Sequence, residues 1–452
     1  MHIHILGICG TFMTGIATLA QSLGHEVTGS DTNFYPPMSD HLENMKIEVT
    51  KHYRSSQLKN KPDQVIVGNI MTRGHEVIES LLDSNIPFTS GPQWLYENIL
   101  REKYVIAVTG THGKTTTTSM LSWILEDNNY RPSFLIGGAP RDFDSSARLT
   151  ASQFFVIEGD EYDSAFFDKR PKFIHYHPKI CIINNIEFDH ADIYKDLKEI
   201  IFQFHQLIRL VPSNGKIIYN GNDKNTADLI DFGHWCNTES YGSHSDSEWK
   251  ADFGRRDNIE VYHNDFDHYS SDWLLKGSYN KENALSAIIA ANTIGISPDK
   301  SLDSLKRFSG VKRRFELLGN FNGLVIYDDF AHHPTSIKKT LDDIAELYPD
   351  KIISVSIELR SNTMRRGIHN DHLLRFMKPL KHVTFLSSTT EIASKISSHT
   401  DFDDKAMHVF DSPNNLATHL LSGFSSDVVH VFLSNGDFMG AKEQVMSNLR
   451  KK

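Results

Sequence analysis

The sequence predicts an α/β protein made of three blocks, each led by a buried strand, a loop and a helix. The blocks open with HIHIL at the N-terminus, YVIAVTG from Tyr104 and LVIYDDFAHHP from Leu324. Apolar runs that alternate with helical segments are typical of βαβ units and of parallel sheets. Helices then cover the faces of each sheet, so three α/β domains are expected.

The composition is that of a globular protein with room for several cores. The chain has 452 residues, of which 39% are hydrophobic, and a formal net charge of −10. At roughly 100–200 residues per domain, two to four domains are expected. An acidic chain is a poor general binder of nucleic acid or anionic membrane, so we predict neither kind of partner.

Cysteine usage and the N-terminus favour the cytoplasm. Cys9, Cys181 and Cys236 are too few for a disulfide framework, which fits a reducing compartment. MHIHILGICGTFMTGIA has no basic region and is interrupted by glycines, so it indicates a strand entering a turn rather than a signal peptide. No apolar run approaches the roughly 18–20 residues of a membrane span. We expect a cytoplasmic monomer or weak homodimer without membrane insertion.

The loop GTHGKTTTT, from Gly110, carries the strongest chemical signal. Its first glycine lies three residues before the second, which differs from the full P-loop spacing. The physical basis of phosphate binding by a P-loop still applies, because glycines let backbone amides turn toward an anion at a helix N-terminus. Lys114 can reach β and γ phosphates, and Thr115 can ligate Mg²⁺. We predict an ATP site; the alternative is a glycine-rich turn with a surface lysine.

Two later strands of the second block end in carboxylates or histidine. FFVIEGDEYD supplies Glu158 and Asp160–Glu161, and ICIINNIEFDH supplies His190. Ligands gather at the carboxyl ends of strands in open α/β sheets, so these side chains are predicted to face one triphosphate. Mg²⁺ prefers oxygen ligands, which favours Thr115 and Glu158, whereas His190 suits a second metal or an ordered water. Ordinary strand-end capping is the alternative.

Two polar clusters near the third block allow two interpretations each. His332–His333 follow Asp328 and Asp329 at a strand end, which indicates a ribose or phosphate contact or the polar start of a helix. Arg313–Arg314 lie at the junction of the second and third blocks. Their planar guanidinium groups can bind phosphate, or the two residues can form a solvated basic turn.

Three predictions concern local structure in the second block. The segment from Cys236 to Ser271 is polar and weakly periodic, which indicates loops or edge strands. NKENALSAIIAANTIG is predicted to be an amphipathic helix ended by a glycine. His175 and His177 have the spacing of one strand face but no third ligand nearby, so we predict surface histidines.

The first block offers a second anion site. Gly7, Gly10 and Gly15 follow a strand but do not match the G-x-G-x-x-G dinucleotide pattern. Asp31 ends the next strand, about where a ribose-binding acid lies in such folds. NAD is a rival on chemistry alone, but the stronger triphosphate site elsewhere favours a nucleotide-linked substrate here.

Together these motifs resemble the Mur ligase family, ATP-dependent amide ligases of peptidoglycan metabolism. GTHGKTTTT, EGDEYD, NNIEFDH, NKEN, GVKRRFE and YDDFAHHPT occur in the order and spacing of that family, over essentially the whole chain. The resemblance implies a Rossmann-like UDP-N-acetylmuramate-binding domain at 1–100, a P-loop-type ATP-binding domain at 101–310 and a Rossmann-like peptide-acceptor domain at 311–452. It also implies ATP and Mg²⁺ as cofactors and a role in cell wall biogenesis, cell shape and cell division.

Different stretches of the sequence resemble two different branches of the family. HILGICGTFMTGIA is similar to the branch that adds L-alanine to UDP-N-acetylmuramate in de novo synthesis. GSDTNFYPPMSDHLE, SGPQWL, DEYDSAFFDKRPKFIHYHP and RSNTMRRGIH are similar to the branch that attaches the recycled murein tripeptide L-alanyl-γ-D-glutamyl-meso-diaminopimelate. We expect the second activity, through an acyl phosphate of the muramate lactyl carboxylate. The L-alanine ligase, or a catalytically inactive nucleotide-binding regulatory relative, is the alternative.

The roles known in the family transfer to matching positions of this sequence. Lys114, His190 and Arg314 are expected to be catalytic, and Thr115, Glu158 and His190 are expected to hold metal. The nucleotide is expected to contact Gly110, Thr111, His112, Gly113, Lys114, Thr115, Thr116, Asn280, Asn283, Arg314, Asp329 and His332. The UDP-sugar is expected to contact Gly10, Asp31, Asn69 and Arg73, and the peptide carboxylates Arg360, Ser361, Asn362 and Thr363.

Plainer roles stay open for some of these residues. Asn280 and Asn283 can cap and pack a helix, and Asn69 can cap a turn. Arg73 can be a solvated loop charge, and 360–363 can form a polar strand-to-helix turn.

The chain also departs from the family pattern. Leu359 stands where the tripeptide branch usually has proline, and SNGDFMG, with Asp437 and Met439, replaces an SNGGFGG-like end. Glutamine and histidine occur around Gln206, so we do not predict the carbamylated lysine of some members.

Overall fold

The computed structural model describes residues 1–34, 38–243, 246–252, 257–264, 267–273, 275–403 and 405–451. The chain forms two compact units. The first unit comprises Met1–Phe188, Asp196–Leu274 and Lys281–Gly310, and the second comprises Asp189–Lys195, Leu275–Asn280 and Val311–Lys452. None of the described helices is long and apolar enough to cross a membrane.

The first sheet of the first unit is parallel, with strand order β3-β2-β1-β4-β5. Its strands are β1 (His2–Leu6), β2 (Glu26–Asp31), β3 (Glu48–Lys51), β4 (Gln64–Val67) and β5 (Phe88–Ser90). The helices of this region are α1 (Thr11–Ser22), α2 (Met38–Asn44), α3 (Glu76–Leu82) and α4 (Gly91–Asn98). The strand order reverses between β1 and β4, so their carboxyl ends form the kind of crevice where open α/β sheets bind ligands.

The second sheet of the first unit has the order β17-β16-β15-β14-β13-β12-β6-β9-β7-β8. Its central strands are β6 (Tyr104–Thr109), β7 (Ser133–Leu135), β8 (Ala147–Arg148), β9 (Phe154–Glu158), β12 (Ile180–Ile183) and β13 (Lys216–Asn220). A separate hairpin joins β10 (Asp163–Ala165) and β11 (Asp168–Pro171). β6 lies between β9 and β12, parallel to both, so the carboxyl ends of three strands meet at one edge.

The polar segment from Cys236, predicted to form loops or edge strands, contributes four strands to this sheet in its described parts. They are β14 (Asn237–Gly242), β15 (Trp249–Asp252), β16 (Asn258–His263) and β17 (Asp267–Asp272). Only β17 lies at the edge, and the other three lie between neighbouring strands. The helices that follow the central strands are α5 (Lys114–Asp127), α6 (Leu197–Ile208), α7 (Lys224–Phe232), α8 (Ser278–Thr293) and α9 (Pro298–Leu305).

The prediction that NKENALSAIIAANTIG is amphipathic was wrong. From Ala284 to Ala291 every apolar residue of α8 is fully buried, and Ser286 is buried with them. A helix that is apolar on all sides is a core helix rather than a surface helix. The predicted end is correct, since Gly295 follows the helix with φ of 96°.

The third sheet, in the second unit, has the order β18-β19-β23-β20-β21-β22. Its strands are β18 (Glu316–Phe321), β19 (Leu324–Asp329), β20 (Ile352–Glu358), β21 (His382–Leu386), β22 (Met407–Phe410) and β23 (Val428–Leu433). Only β18 is antiparallel to its neighbour. The helices are α10 (Pro334–Leu347), α11 (Asn362–Arg366), α12 (Asn370–Met377), α13 (Thr390–Ser397), α14 (Pro413–Gly423) and α15 (Ala441–Arg450).

Apolar layers cover both faces of the third sheet. Val429 and Val431 belong to one buried cluster, and Val428 and Phe432 belong to the other. Alternate residues of a strand point to opposite faces, and a parallel sheet is buried on both, which explains the nearly continuous apolar run VVHVFL. The α/β fold class predicted from the sequence is therefore confirmed.

Candidate active site

The loop after β6 has the conformation of an anion-binding loop at the start of α5. Gly110 and Gly113 have φ of 121° and 81°, in the region that favours glycine. A Cβ added at Gly110 would lie 2.9 Å from the backbone N and O of Asn185, and one at Gly113 would lie 2.3 Å from Asn283 Oδ1. Both positions therefore require glycine for conformation and for space.

Lys114 is held at the mouth of this loop by two acceptors. Its Nζ donates to the carbonyl oxygen of Gly110 at 2.6 Å and to Glu161 Oε2 at 2.7 Å. Burial by itself would lower the pKa of Lys114. The negative charges of Glu161, Asp160 and Glu158 have the larger effect, so the pKa of the ammonium is raised. The lysine is thus a fixed cation beside the loop amides, as a triphosphate site requires.

Thr115 and Glu158 are brought together, as predicted for metal ligands. Thr115 Oγ1 donates to Glu158 Oε1 at 3.0 Å, and the other carboxylate oxygen accepts the amide of Gly137 at 2.7 Å. A hydroxyl and a carboxylate at this distance are the oxygen donors that Mg²⁺ prefers. The donor set therefore fits Mg²⁺. Thr116, the next residue, is buried in α5.

Two asparagines after β12 brace the loop, and sequence reasoning missed both. Asn185 Oδ1 accepts the amide of His112 at 2.8 Å, and the backbone O of Asn185 accepts that of Thr111 at 3.0 Å. Asn184 donates to Thr117 Oγ1 at 3.1 Å and accepts from the Tyr241 hydroxyl at 3.1 Å. The available signal was their place at a strand end, but it becomes meaningful only once β12 is known to adjoin β6.

The two asparagines of NKEN differ in their surroundings. Asn283 lies in the first unit against Gly113, and its buried Nδ2 has no hydrogen-bond partner among the described residues. Asn280 belongs to the second unit, where its Nδ2 donates to the carbonyl of Lys276 at 2.6 Å. A buried amide group without a partner is costly, so Asn283 Nδ2 is available for a ligand group at the loop.

His190 belongs to the second unit and starts a short turn there. Its φ is 55°, and its backbone N–H donates to Asp189 Oδ1 at 2.7 Å. Burial alone would raise the pKa of Asp189, but the charges of His190, His332 and His333 hold that pKa well below its ordinary value. Asp189 is thus an anion at neutral pH that orders this turn.

Arg314 and Asp329 form one structural group in the second unit. The guanidinium carbon of Arg314 lies 4.7 Å from the ring centroid of Phe330. Asp329 accepts the amides of Ala331 at 2.7 Å and Phe315 at 2.6 Å. Burial raises the pKa of Asp329, while Arg314 and these amides oppose the rise. In this structure Asp329 fixes the backbone immediately after Arg314, at Phe315, and the turn that follows its own strand, at Ala331.

The two histidines after Asp329 contact backbone atoms. His332 Nδ1 lies 3.0 Å from the carbonyl oxygen of Phe330. His333 is the N-cap residue of α10, where its Nδ1 accepts the amide of Thr335 at 3.4 Å. Helix-start polarity, one of the two interpretations, accounts for His333.

Residues 360–363 make contacts typical of a polar strand-to-helix turn. Ser361 caps α11 by accepting the amide of Met364 at 3.3 Å. Asn362 donates to Asp192 at 2.7 Å, and Thr363 donates to Asp189 at 3.0 Å. The side chain of Arg360 lies against Gly436, where an added Cβ would be 2.3 Å from Nη1. The contacts of Ser361, Asn362 and Thr363 are those of the alternative interpretation, a polar strand-to-helix turn.

In the first sheet, Gly10 and Asn69 follow β1 and β4, the strands that border the switch point. Asp31 is buried and accepts the amides of Cys9 at 2.8 Å and Asn33 at 2.9 Å, so it organises the loop after β1. Arg73 is 67% exposed and pairs with Glu79 at 2.8 Å. The geometry of Arg73 is that of a solvated loop charge.

The prediction that His175 is a surface histidine was wrong. Its side chain is buried, with Nε2 3.0 Å from Asp168 Oδ2 and Nδ1 2.9 Å from Gln93 Oε1. His177 stacks on Tyr96 with ring centroids 4.5 Å apart. Both histidines connect α4 to the segment around β11.

Family models match nearly the whole chain. They are described as Mur ligase family, catalytic domain, at residues 2–103; Mur ligase middle domain at 108–291; and Mur ligase, glutamate ligase domain, at 313–436.

Individual relatives agree with these matches. The chain is 45% identical to UDP-N-acetylmuramate–L-alanyl-γ-D-glutamyl-meso-2,6-diaminoheptandioate ligase of Escherichia coli K12, over 100% of this chain and 99% of the relative. A UDP-N-acetylmuramate–L-alanine ligase of Clostridium kluyveri is 35% identical over 78% of this chain and 76% of its own. The crystal structure of a murein peptide ligase from Psychrobacter arcticus is 40% identical, covers 99% of this chain and 98% of its own, and has a TM-score of 0.79.

Proposed function

We infer the function of this chain from its family, because the chain belongs to the Mur ligases. We propose that it is an ATP-dependent ligase that joins L-alanyl-γ-D-glutamyl-meso-diaminopimelate to UDP-N-acetylmuramate. The full-length identity of 45% to a relative named for this reaction carries the proposal. The L-alanine ligase is the second candidate, but the relative that supports it is less similar and matches only 78% of this chain.

The geometry of the phosphate loop supports the chemistry of this proposal. In the first step a lactyl carboxylate oxygen of UDP-N-acetylmuramate attacks the γ-phosphorus of ATP, which forms an acyl phosphate and releases ADP. In the second step the α-amine of the tripeptide attacks the acyl carbon, inorganic phosphate leaves, and the amine loses a proton. Both substrates of the first step are anions, so cations must offset their repulsion.

Lys114 is the cation that the first unit supplies. When ATP binds, Lys114 can replace its hydrogen bond to Glu161 with hydrogen bonds to phosphate oxygens. The backbone amides of 110–113 would contact the same phosphates. Mg²⁺, held by Thr115 and Glu158, supplies further positive charge when bound. Asn283 offers the nucleotide its amide group, which has no partner in the described part of the chain. Arg314, stacked on Phe330, is the proposed cation of the second unit.

The substrate sites follow from the strand ends. We assign the UDP-sugar to 1–100, where Gly10 and Asn69 border the switch point of the first sheet. We assign ATP to 101–310 and the peptide acceptor to 311–452, with Arg360 contacting a peptide carboxylate. Since ATP and UDP-sugars are cytoplasmic metabolites, the cytoplasm is the proposed location.

The test is phosphate release with ATP, Mg²⁺ and UDP-N-acetylmuramate, with tripeptide or L-alanine as the acceptor. We expect release with the tripeptide and little with L-alanine. Faster release with L-alanine would replace the proposal with the de novo activity. ATP binding without release, when all substrates are present, would indicate an inactive regulatory relative.

A further inference from the structure

A second lysine of the first unit is held close to the end of β9. Lys172 begins the short helical turn Lys172–His175, directly after β11, and it is buried. Its Nζ donates to Asp160 Oδ2 at 2.7 Å. Asp160 lies two residues after Glu158, the last residue of β9 and the partner of the Thr115 hydroxyl. The ammonium group of Lys172 therefore lies near the carboxyl end of this strand.

The same ammonium group is also close to the start of α1. Its Nζ is 5.1 Å from the ring centroid of Phe12, in the first turn of that helix, and 5.8 Å from the ring centroid of Tyr162. Gly10, which the proposed function assigns to the UDP-sugar, is the N-cap residue of α1. Lys172 thus lies between the strand end that carries Glu158 and the loop that leads into α1.

The segment around Lys172 is fixed to the first sheet and its helices on both sides of the lysine. Before it, Phe166 in the turn of the β10–β11 hairpin packs against the buried apolar cluster that includes Val67 of β4. After it, His175 Nδ1 lies 2.9 Å from Oε1 of Gln93 in α4. These contacts set the position of the lysine relative to both sheets of the first unit.

The ammonium group has N–H donors available for a ligand. A protonated lysine carries three N–H donors, and among the described residues Asp160 is the one hydrogen-bond acceptor of Lys172 Nζ. The side chain of Lys172 is 9% exposed and that of Asp160 is 29% exposed, so the pair borders solvent. Because buried polar groups are normally satisfied, an anionic oxygen is the group expected beside Nζ.

We propose that Lys172 binds the lactyl carboxylate of UDP-N-acetylmuramate and holds it for attack on the γ-phosphorus. This inference rests on the proposed function, which places the UDP-sugar at the start of α1 and the triphosphate at the loop of Lys114. The reacting carboxylate has to extend from the first site to the second, and Lys172 lies between them. A cation at this point offsets the repulsion that Glu158, Asp160 and the phosphates exert on the carboxylate.

The test is the kinetics and substrate binding of Lys172→Met in the full chain, since methionine keeps the length of the side chain without its charge. We expect the KM for UDP-N-acetylmuramate to rise about tenfold or more while the KM for ATP changes little. Titration calorimetry without ATP should show the same loss of affinity. The affinity for UDP-N-acetylglucosamine, which has no lactyl group, should stay the same. An equal loss for both nucleotide sugars would indicate a contact to the diphosphate and would overturn the inference.

The matched control is Lys169→Met. Lys169 is a 69% exposed lysine of β11 that pairs with Asp163 at 2.6 Å, so its removal should leave both KM values unchanged. Lys172→Arg keeps a cation and should retain most of the affinity. Lys172→Met combined with Asp160→Asn removes both charges of the pair, so no buried charge is left without a partner if the single variant folds poorly. This double variant should bind UDP-N-acetylmuramate as weakly as Lys172→Met.

Two results would count against the assignment in different ways. If Lys172→Met and the double variant are folded by circular dichroism and bind UDP-N-acetylmuramate normally, the ion pair of Lys172 is structural and the inference is wrong. If the unaltered chain releases no phosphate with the tripeptide, the proposed function fails, and this inference fails with it.

Discussion

The hydroxyl of Thr363 donates a hydrogen bond to the carboxylate of Asp189 at 3.0 Å, and both side chains are buried although 174 residues separate them. This contact fixes the segment Asp189–Lys195 onto α11 within the second unit. Asn362 and Arg366 add contacts from the same helix to Asp192 and to the carbonyl of Ala191. The position of His190 is therefore set by a helix near the C-terminal end of β20.

Thr363→Val should destabilise the second unit. The substitution keeps the shape but leaves a buried carboxylate without one donor, and a hydrogen bond to a charged group contributes about 1.5–3 kcal/mol. Scanning calorimetry measures the loss as a lower melting temperature. Asn362→Ala, which removes an exposed contact to Asp192, is the control and should cost less. Equal melting of Thr363→Val and the unaltered chain would show that the hydroxyl is dispensable.

Lys114→Ala should reduce turnover by about 100-fold or more, because it removes the cation fixed beside the loop amides. Phosphate release at saturating substrates measures the effect. Lys224→Ala removes an exposed lysine that pairs with Asp228 and should leave turnover unchanged. Full activity of Lys114→Ala would contradict the assignment of the loop.

Arg360→Ala should raise the KM for tripeptide about tenfold while the KM for ATP changes little, because a charged contact to a peptide carboxylate is lost. Steady-state kinetics with each substrate varied separately give both values. Arg365→Ala, on the exposed side of α11, should leave both constants near their original values. Equal changes in the two KM values for Arg360→Ala would contradict a specific role of Arg360 in tripeptide binding.

Met439→Gly should stabilise the second unit by up to about 1 kcal/mol. Met439 has φ of 51° between Phe438 at 57° and Gly440 at 86°, and its side chain is 42% exposed. Glycine adopts this conformation without the Cβ penalty, and this relief is the source of the expected gain. Met439→Ala keeps the Cβ and should not stabilise, so a gain shared by both variants would refute the backbone explanation.

The second unit should lose stability as the pH falls from about 6.5 toward 3, in part because of His430. Burial lowers the pKa of His430 from 6.5 to about 3, so the unfolded chain takes up the proton first and protonation favours unfolding. Melting temperatures measured between pH 7 and 4 report the effect. Glutamine does not titrate, so the stability of His430→Gln should depend less on pH than that of the control His372→Gln, which removes an exposed histidine of α12. An unchanged dependence would exclude this histidine as a source.

Local sequence was sufficient for the fold class and for the strand, glycine loop and helix around Lys114. Gly110, Lys114 and Thr115 lie within one strand-loop-helix unit, so their chemistry is visible without the tertiary structure. Glu158 was also predictable, because a carboxylate at the end of a parallel strand lies at the ligand edge of the sheet.

Contacts between distant segments were not predictable in the same way. Asn184 and Asn185 support the loop only because β12 pairs with β6. The burial of α8 on all sides depends on the elements that surround it, which a periodicity argument does not include. For the same reason His175, whose partners lie in β11 and α4, was misassigned to the surface.

The position of β6 between β9 and β12 has a consequence for the order of events during synthesis. When the ribosome has just translated the loop at 110–113, the strands β9 and β12 have not yet been synthesised. Asn185 and Asn283, which contact this loop, are also still missing. Contacts between residues far apart in sequence form late and slow folding. Nucleotide binding by a nascent chain would therefore report that translation has passed α8 and that the central sheet has been assembled.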